Sequence, residues 1–107
     1  MAEMTAEREG AILEQALATY GATAQRRQMI EEMAELTQAL CKLERVAASP
    51  NYAEAHEQAR ENLIEEIADV QIMLNQMQLL YGDCTEWEIK KLERLAWRLG
   101  MEEGGND

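Results

Sequence analysis

Residues 30–40 read IEEMAELTQAL and residues 64–74 read IEEIADVQIML. Each places two acids after an isoleucine, then an alanine and a third acid three residues beyond the second. At about 100° per residue, the apolar stripe of the first stretch gathers Met29, Met33, Leu36, Leu40 and Leu43. Glu31, Gln38 and Lys42 lie well away from it, as solvated residues should. Glu32 falls at the edge of the stripe beside Leu36 and Leu43, and Glu35 shares its face. The second stretch is apolar nearly all round. Leu63, Ile67, Val70, Leu74 and Tyr81 form one side, and Ala68, Ile72 and Leu79 another. A helix of that kind is normally buried against several neighbours. Glu66 and Asp69 project between those sides, together with Met73, Met77 and Leu80.

Carboxylates in such a sector repel each other and lose solvation, so something positive should compensate. Oxygen-only ligands from two facing helices suit a hard cation such as Mg2+ or Mn2+. Glu32, Glu35, Glu66 and Asp69 are the expected ligands. The plainer alternative is that these acids simply edge a solvated groove, with or without Lys or Arg partners.

Outward from the two stretches, the punctuation divides the chain into four helices. Thr5 opens the first, which runs to Tyr20 before Gly21. Thr23 is the expected cap of the second, which reaches about Val46. Across AASPNY, Ser49 with Pro50 at the first helical position competes with an Asn51/Glu54 capping box to start the third. That helix runs to about Leu80 and stops at Tyr81-Gly82. Thr85 and Glu88 have capping-box spacing for a fourth helix to about Leu99, with a frayed tail over residues 101–107. The 34-residue offset between the acidic phrases equals a tetratricopeptide period, but the phrase occurs only twice and the repeat's aromatic and Gly positions are absent. The expectation is one all-α domain over residues 1–107, a four-helix bundle.

Composition narrows the partners. One Pro, six Gly and no Phe favour helix, and 10 basic against 21 acidic residues give a net charge of −11. That balance argues against nucleic acid or an anionic membrane as the main partner. A phosphate-bearing ligand would need cations to bridge it to the protein. Cys41 and Cys84 have no metal-ligand spacing and read as reduced, half-buried thiols. No apolar run approaches the roughly 20 residues of a membrane span, and the first residues lack a signal-peptide core. A cytoplasmic location is expected.

EEMAEL followed by EEIADV resembles the MazG-like all-α nucleoside triphosphate pyrophosphohydrolases, whose signature is EExxE on one helix and ExxD on the next. The resemblance spans roughly residues 20 to 98. It implies a helical bundle that assembles as a homodimer or homotetramer and hydrolyses a nucleoside triphosphate between the α and β phosphates. It makes Glu32, Glu35, Glu66 and Asp69 the Mg2+ ligands, with Mn2+ a possible substitute. Glu31 and Glu65 become candidates for orienting water or the ligands. The family also carries basic residues in the following helix and an Asn after ExxD, which implies substrate-binding roles for Lys91, Arg94 and Asn75. Trp87 shares a face with Lys91, Arg94 and Arg98 and could stack on a base. Phosphoribosyl-ATP hydrolysis is a neighbouring activity within the same fold.

The remaining features have ordinary readings. Gln25, Arg26 and Gln28 read as solvent-facing, with substrate contact as the alternative, and His56 as a lone surface histidine. The methionines Met29, Met33, Met73 and Met77 read as core. Helix 4 has its core stripe at Ile89, Leu92, Leu95, Ala96 and Leu99, with Trp97 off that stripe. A homo-oligomer is expected because helix 3 has more apolar faces than three neighbours would cover. The rival from another class is a non-catalytic helical binding or regulatory module that keeps the fold.

Overall fold

The computed structural model describes residues 3–101, so the expected frayed tail lies, beyond Met101, outside the described residues. The chain forms helices α1 (Ala6–Tyr20), α2 (Ala22–Arg45), α3 (Tyr52–Tyr81) and α4 (Thr85–Arg98), with a 3-10 turn at Val46–Ala48. There is no strand among the described residues. No described helix is long and apolar enough to cross a membrane.

The helix ends follow local chemistry, with three departures from expectation. Thr5 caps α1 as expected, its hydroxyl accepting from the Arg8 amide at 3.0 Å. Gly21 ends α1 and also begins α2, at φ 86°, a conformation that suits glycine. A single linking residue leaves Thr23 inside the first turn of α2 rather than at its cap, where its hydroxyl accepts from Arg26 instead. At the start of α3, neither expected cap is made. The Ser49 hydroxyl donates to Asn51 Oδ1 at 2.6 Å, and that bond uses the oxygen Asn51 would need to cap the helix. At α4, Asp83 takes the role expected of Thr85. Its carboxylate accepts from the Thr85 amide at 3.0 Å and the Thr85 hydroxyl at 2.6 Å. The far end of α4 closes with Gly100 at φ 74° and bonds from the Gly100 and Met101 amides to Trp97 and Ala96, a Schellman stop.

The body is the antiparallel α2–α3 hairpin, the most extensive helix pair. The covered positions on α2 are Gln25, Met29, Glu32, Leu36, Ala39 and Leu43. On α3 the facing row is Ala59, Leu63, Glu66, Val70, Met73, Met77 and Leu80, with Gln76 buried and Asp69 partly covered beside it. Both rows advance in alternating steps of four and three, the register of a coiled seam. Ala39 and Ala59, only 3 % and 1 % exposed, let the two backbones approach closely. The expected stripe through Met33 and Leu40 is therefore corrected: these are 50 % and 48 % exposed, and the seam runs through Glu32 and Ala39 instead. The apolar stripe of α2 is wider than one seam, and its outer half is left uncovered. The same holds on α3, where Ile67, Ile72, Leu74 and Leu79 are exposed.

Helix α1 lies across both, burying Leu13 with Gly10 and Leu17 partly covered, and its Glu9 accepts from Asn75 at 3.2 Å. Helix α4 packs against none of the other helices among the described residues. Its Ile89, Leu92, Leu95 and Leu99 are all exposed. The radius of gyration is 18.1 Å, against about 13 Å for a compact domain of this length. The accessible surface of 8436 Å2 exceeds the roughly 6,100 Å2 of a compact monomer of this mass. Both Cys41 and Cys84 are free thiols, and they are exposed rather than half-buried.

Candidate metal centre

Seam phase decides which acids meet. Glu32 occupies the position between Met29 and Leu36, and Glu66 that between Leu63 and Val70. Both are slots where an apolar side chain would ordinarily sit. Each is partly covered, and each has one oxygen, Oε2, buried without a hydrogen-bond partner among the described residues. Buried polar atoms are nearly always paired, so two orphans in one seam are informative. Glu35, one turn along α2 and exposed, completes a cluster in which one oxygen from each of Glu32, Glu35 and Glu66 lies within 4.8 Å of the others. Asp69 stands outside that cluster, but its charge acts on both Glu32 and Glu66.

The electrostatics follow from this crowding. Burial pushes the Glu32 carboxyl above its ordinary value, and the charges of Glu35 and Asp69 push the same way. Gln28 opposes the shift by donating from Nε2 to Glu32 Oε1 at 2.7 Å, and so also orients that side chain. Glu66 is raised first by burial and then by Asp69, Glu32 and Glu65. No Lys or Arg makes an ion pair with these acids among the described residues; the ion pairs there are those of Arg60 with Glu57 and Glu61. Pairing with basic side chains is therefore not what offsets these acids, although Glu35 and Glu66 do line an open groove. A hard divalent cation fits the donor set, because it would satisfy both orphan oxygens and the repulsion at once.

The other expected site residues divide into two groups. Glu31 and Glu65 are exposed, one residue out of phase with the seam. Lys91, Arg94 and Trp87 lie on α4, which does not reach the acids within one chain. The Trp87 ring instead carries Lys90 Nζ at 5.1 Å from its centroid. Asn75 is held by Glu9 and Gln71, turned toward α1. The expected basic and aromatic set is therefore not gathered around the acids by this chain alone.

Of the three polar residues near the motif, Gln25 and Gln28 are covered rather than solvent-facing, while Arg26 is exposed as expected. Gln25 is buried and donates from Nε2 to Gln76 Oε1 at 2.6 Å, across the α2–α3 seam. Arg26 reaches the Tyr81 hydroxyl at 2.9 Å, and Gln28 holds Glu32. Periodicity alone could have found Gln25, which falls in seam phase, whereas Gln76 is buried one residue off the α3 row. His56 is partly covered and lies against Tyr52, with ring centroids 5.3 Å apart. Of the four methionines, Met73 is buried, Met29 and Met77 are partly covered, and Met33 is exposed.

Comparison with models of known protein families, with curated proteins and with solved structures finds no match for this chain.

Proposed function

We propose that the chain is a Mg2+-dependent nucleoside triphosphate pyrophosphohydrolase of the MazG-like kind, a cytoplasmic homo-oligomer that cleaves between the α and β phosphates. The observation that carries this reading is the pair of orphan oxygens, Glu32 Oε2 and Glu66 Oε2, buried in the α2–α3 seam. A protein of net charge −11 would bind a triphosphate only through cations, and this seam is where its carboxylates are least solvated.

Glu32, Glu35 and Glu66 would hold the ion, with Asp69 as the fourth acid of the set. When bound, Mg2+ supplies charge neutralisation on the triphosphate, polarisation at phosphorus and a more acidic water. The protein's own groups do the rest. Gln28 fixes the Glu32 carboxylate through its hydrogen bond. Glu65, whose charge is felt at Glu66, or Glu31 takes the proton of the attacking water. The water oxygen bonds to the α phosphorus, the bond from that phosphorus to the bridging oxygen breaks, and pyrophosphate leaves from the monophosphate.

The assembly part of the reading rests on α4. Its apolar face has no partner among the described residues, and the surface in excess of a compact monomer is roughly 2,300 Å2, on the scale of an obligate homodimer interface. A second copy is the occupant that covers it, and α4 would bring Lys91, Arg94 and Trp87 with it. Pyrophosphate release from a panel of ribo- and deoxyribonucleoside triphosphates, run with Mg2+ beside the Asp69→Asn variant, tests the function. Metal-dependent release that the variant loses supports it; metal binding without turnover on any member of the panel favours the non-catalytic binding module.

A further inference from the structure

A groove of about 780 Å3 opens between the C-terminal half of α2 and the N-terminal half of α3. Its walls include Glu35 and Glu66, the same carboxylates that belong to the acidic cluster, together with Lys42, Arg45 and Asn62. The volume falls in the range of small-molecule and cofactor sites. Like every Lys and Arg among the described residues except Arg60, neither cation makes an ion pair; what sets these two apart is that they line the groove that Glu35 and Glu66 also line.

Helix geometry connects these cations to the acids. Lys42 and Arg45 follow Glu35 by seven and ten residues, about 10 and 15 Å along the axis. Side chains on a helix lean toward its N-terminus, so both lean back toward Glu35. Cations in the last turn of α2 also complement the helix dipole. That effect would act on any face of the helix, whereas both residues line the groove that leads to the carboxylates.

We infer that Lys42 and Arg45 form an anion subsite for the β and γ phosphates, the portion of the nucleotide that departs as pyrophosphate. This inference rests on the metal-centre reading and deepens it. It places the leaving group at the α2 C-terminal end of the groove, with Asn62 facing it from α3. Lys and Arg donate charge-assisted hydrogen bonds to phosphate oxygens, Arg in a bidentate fork. Neither residue belongs to the acidic cluster, so the subsite and the metal centre can be separated by mutation.

The test is titration of the full chain with inorganic pyrophosphate, with and without Mg2+, alongside titration with Mn2+ alone. In Lys42→Gln and in Arg45→Gln, pyrophosphate affinity should fall about tenfold each, with Mn2+ affinity unchanged. Lys42→Arg should retain pyrophosphate binding. If the doubly substituted chain binds Mn2+ and pyrophosphate as the unaltered chain does, the subsite is wrong and the metal centre stands. If the unaltered chain binds no Mn2+, the metal centre itself fails, and the subsite fails with it.

Discussion

Glu32 of α2 and Glu66 of α3 face each other across one helix seam, and each leaves a buried carboxylate oxygen with no hydrogen-bond partner. In an otherwise apolar coil, those positions would stabilise the hairpin if filled by Leu. Here they weaken it unless a cation or a proton is shared between them. The site is thus an element of the fold that works against the fold, and this coupling makes it accessible to stability measurements.

The pH dependence has a definite sign. Both carboxyls titrate above their ordinary value of 4.5 in the folded chain. A raised folded value means the stabilising contribution is fully present below the unfolded value and is lost as pH rises through the folded one. Metal-free protein should therefore lose stability from about pH 4.5 upward through this pair. Added Mg2+ should restore it near neutrality and have far less effect near pH 4, where Glu32 and Glu66 are protonated. Thermal melts at several pH values, with Mg2+ and with chelator, check this; a metal-free melting temperature that climbs steadily from pH 4.5 to 7 contradicts it.

The Gln25–Gln76 bond should behave as a buried polar pair. Replacing either Gln alone with Leu strands an amide and should cost about 1–3 kcal/mol, while replacing both should cost much less. Denaturant unfolding of the two single variants and the double variant measures the difference. Equal and additive losses would show that the 2.6 Å contact carries no coupling.

How much of this was legible in the sequence differs between helix pairs. Helical phase placed Glu32 beside Glu35 and Glu66 beside Asp69, because a carboxylate inside an apolar run is visible without knowing what packs on it. Phase did not reveal which part of a broad apolar face becomes the seam. Met33 and Leu40 lost that place to Glu32 and Ala39, since small residues set how closely two backbones approach. Gln25 was read as solvent-facing because its type signals solvent even where its spacing signals core, and its partner Gln76 lies one residue off the seam row. Asp83 capped α4 from one position before Cys84, the residue at the helix's N-cap. The separation of α4 from the body has no sequence signal, because an amphipathic stripe does not say which molecule it covers.

The α4 stripe should govern assembly. Sedimentation equilibrium should give a multiple of the chain mass for the unaltered protein. Leu92→Glu or Leu95→Glu, each placing a charge on the exposed apolar face, should shift the mass toward a single chain. A monomer at every concentration for the unaltered protein contradicts the assembly.

Glu65 should be separable from the proposed metal ligands. Glu65→Gln is expected to lower kcat by about 100-fold, the range of lost general-base assistance, with Mn2+ affinity unchanged. Steady-state kinetics beside a Mn2+ titration tests this, and Glu31→Gln decides between the two candidates. If both variants retain full kcat, another group accepts the proton.

The most direct measurement is Mn2+ binding, followed by electron paramagnetic resonance, to the unaltered chain and to Glu32→Gln and Glu66→Gln. Even loss of a residue that only supports a ligand costs about 10–100-fold in metal affinity, so each variant should lose at least that much. In metal-free buffer each should also melt at a higher temperature than the unaltered chain. Equal Mn2+ affinity in all three proteins, with no gain in metal-free stability, would contradict a cation site shared by the two helices.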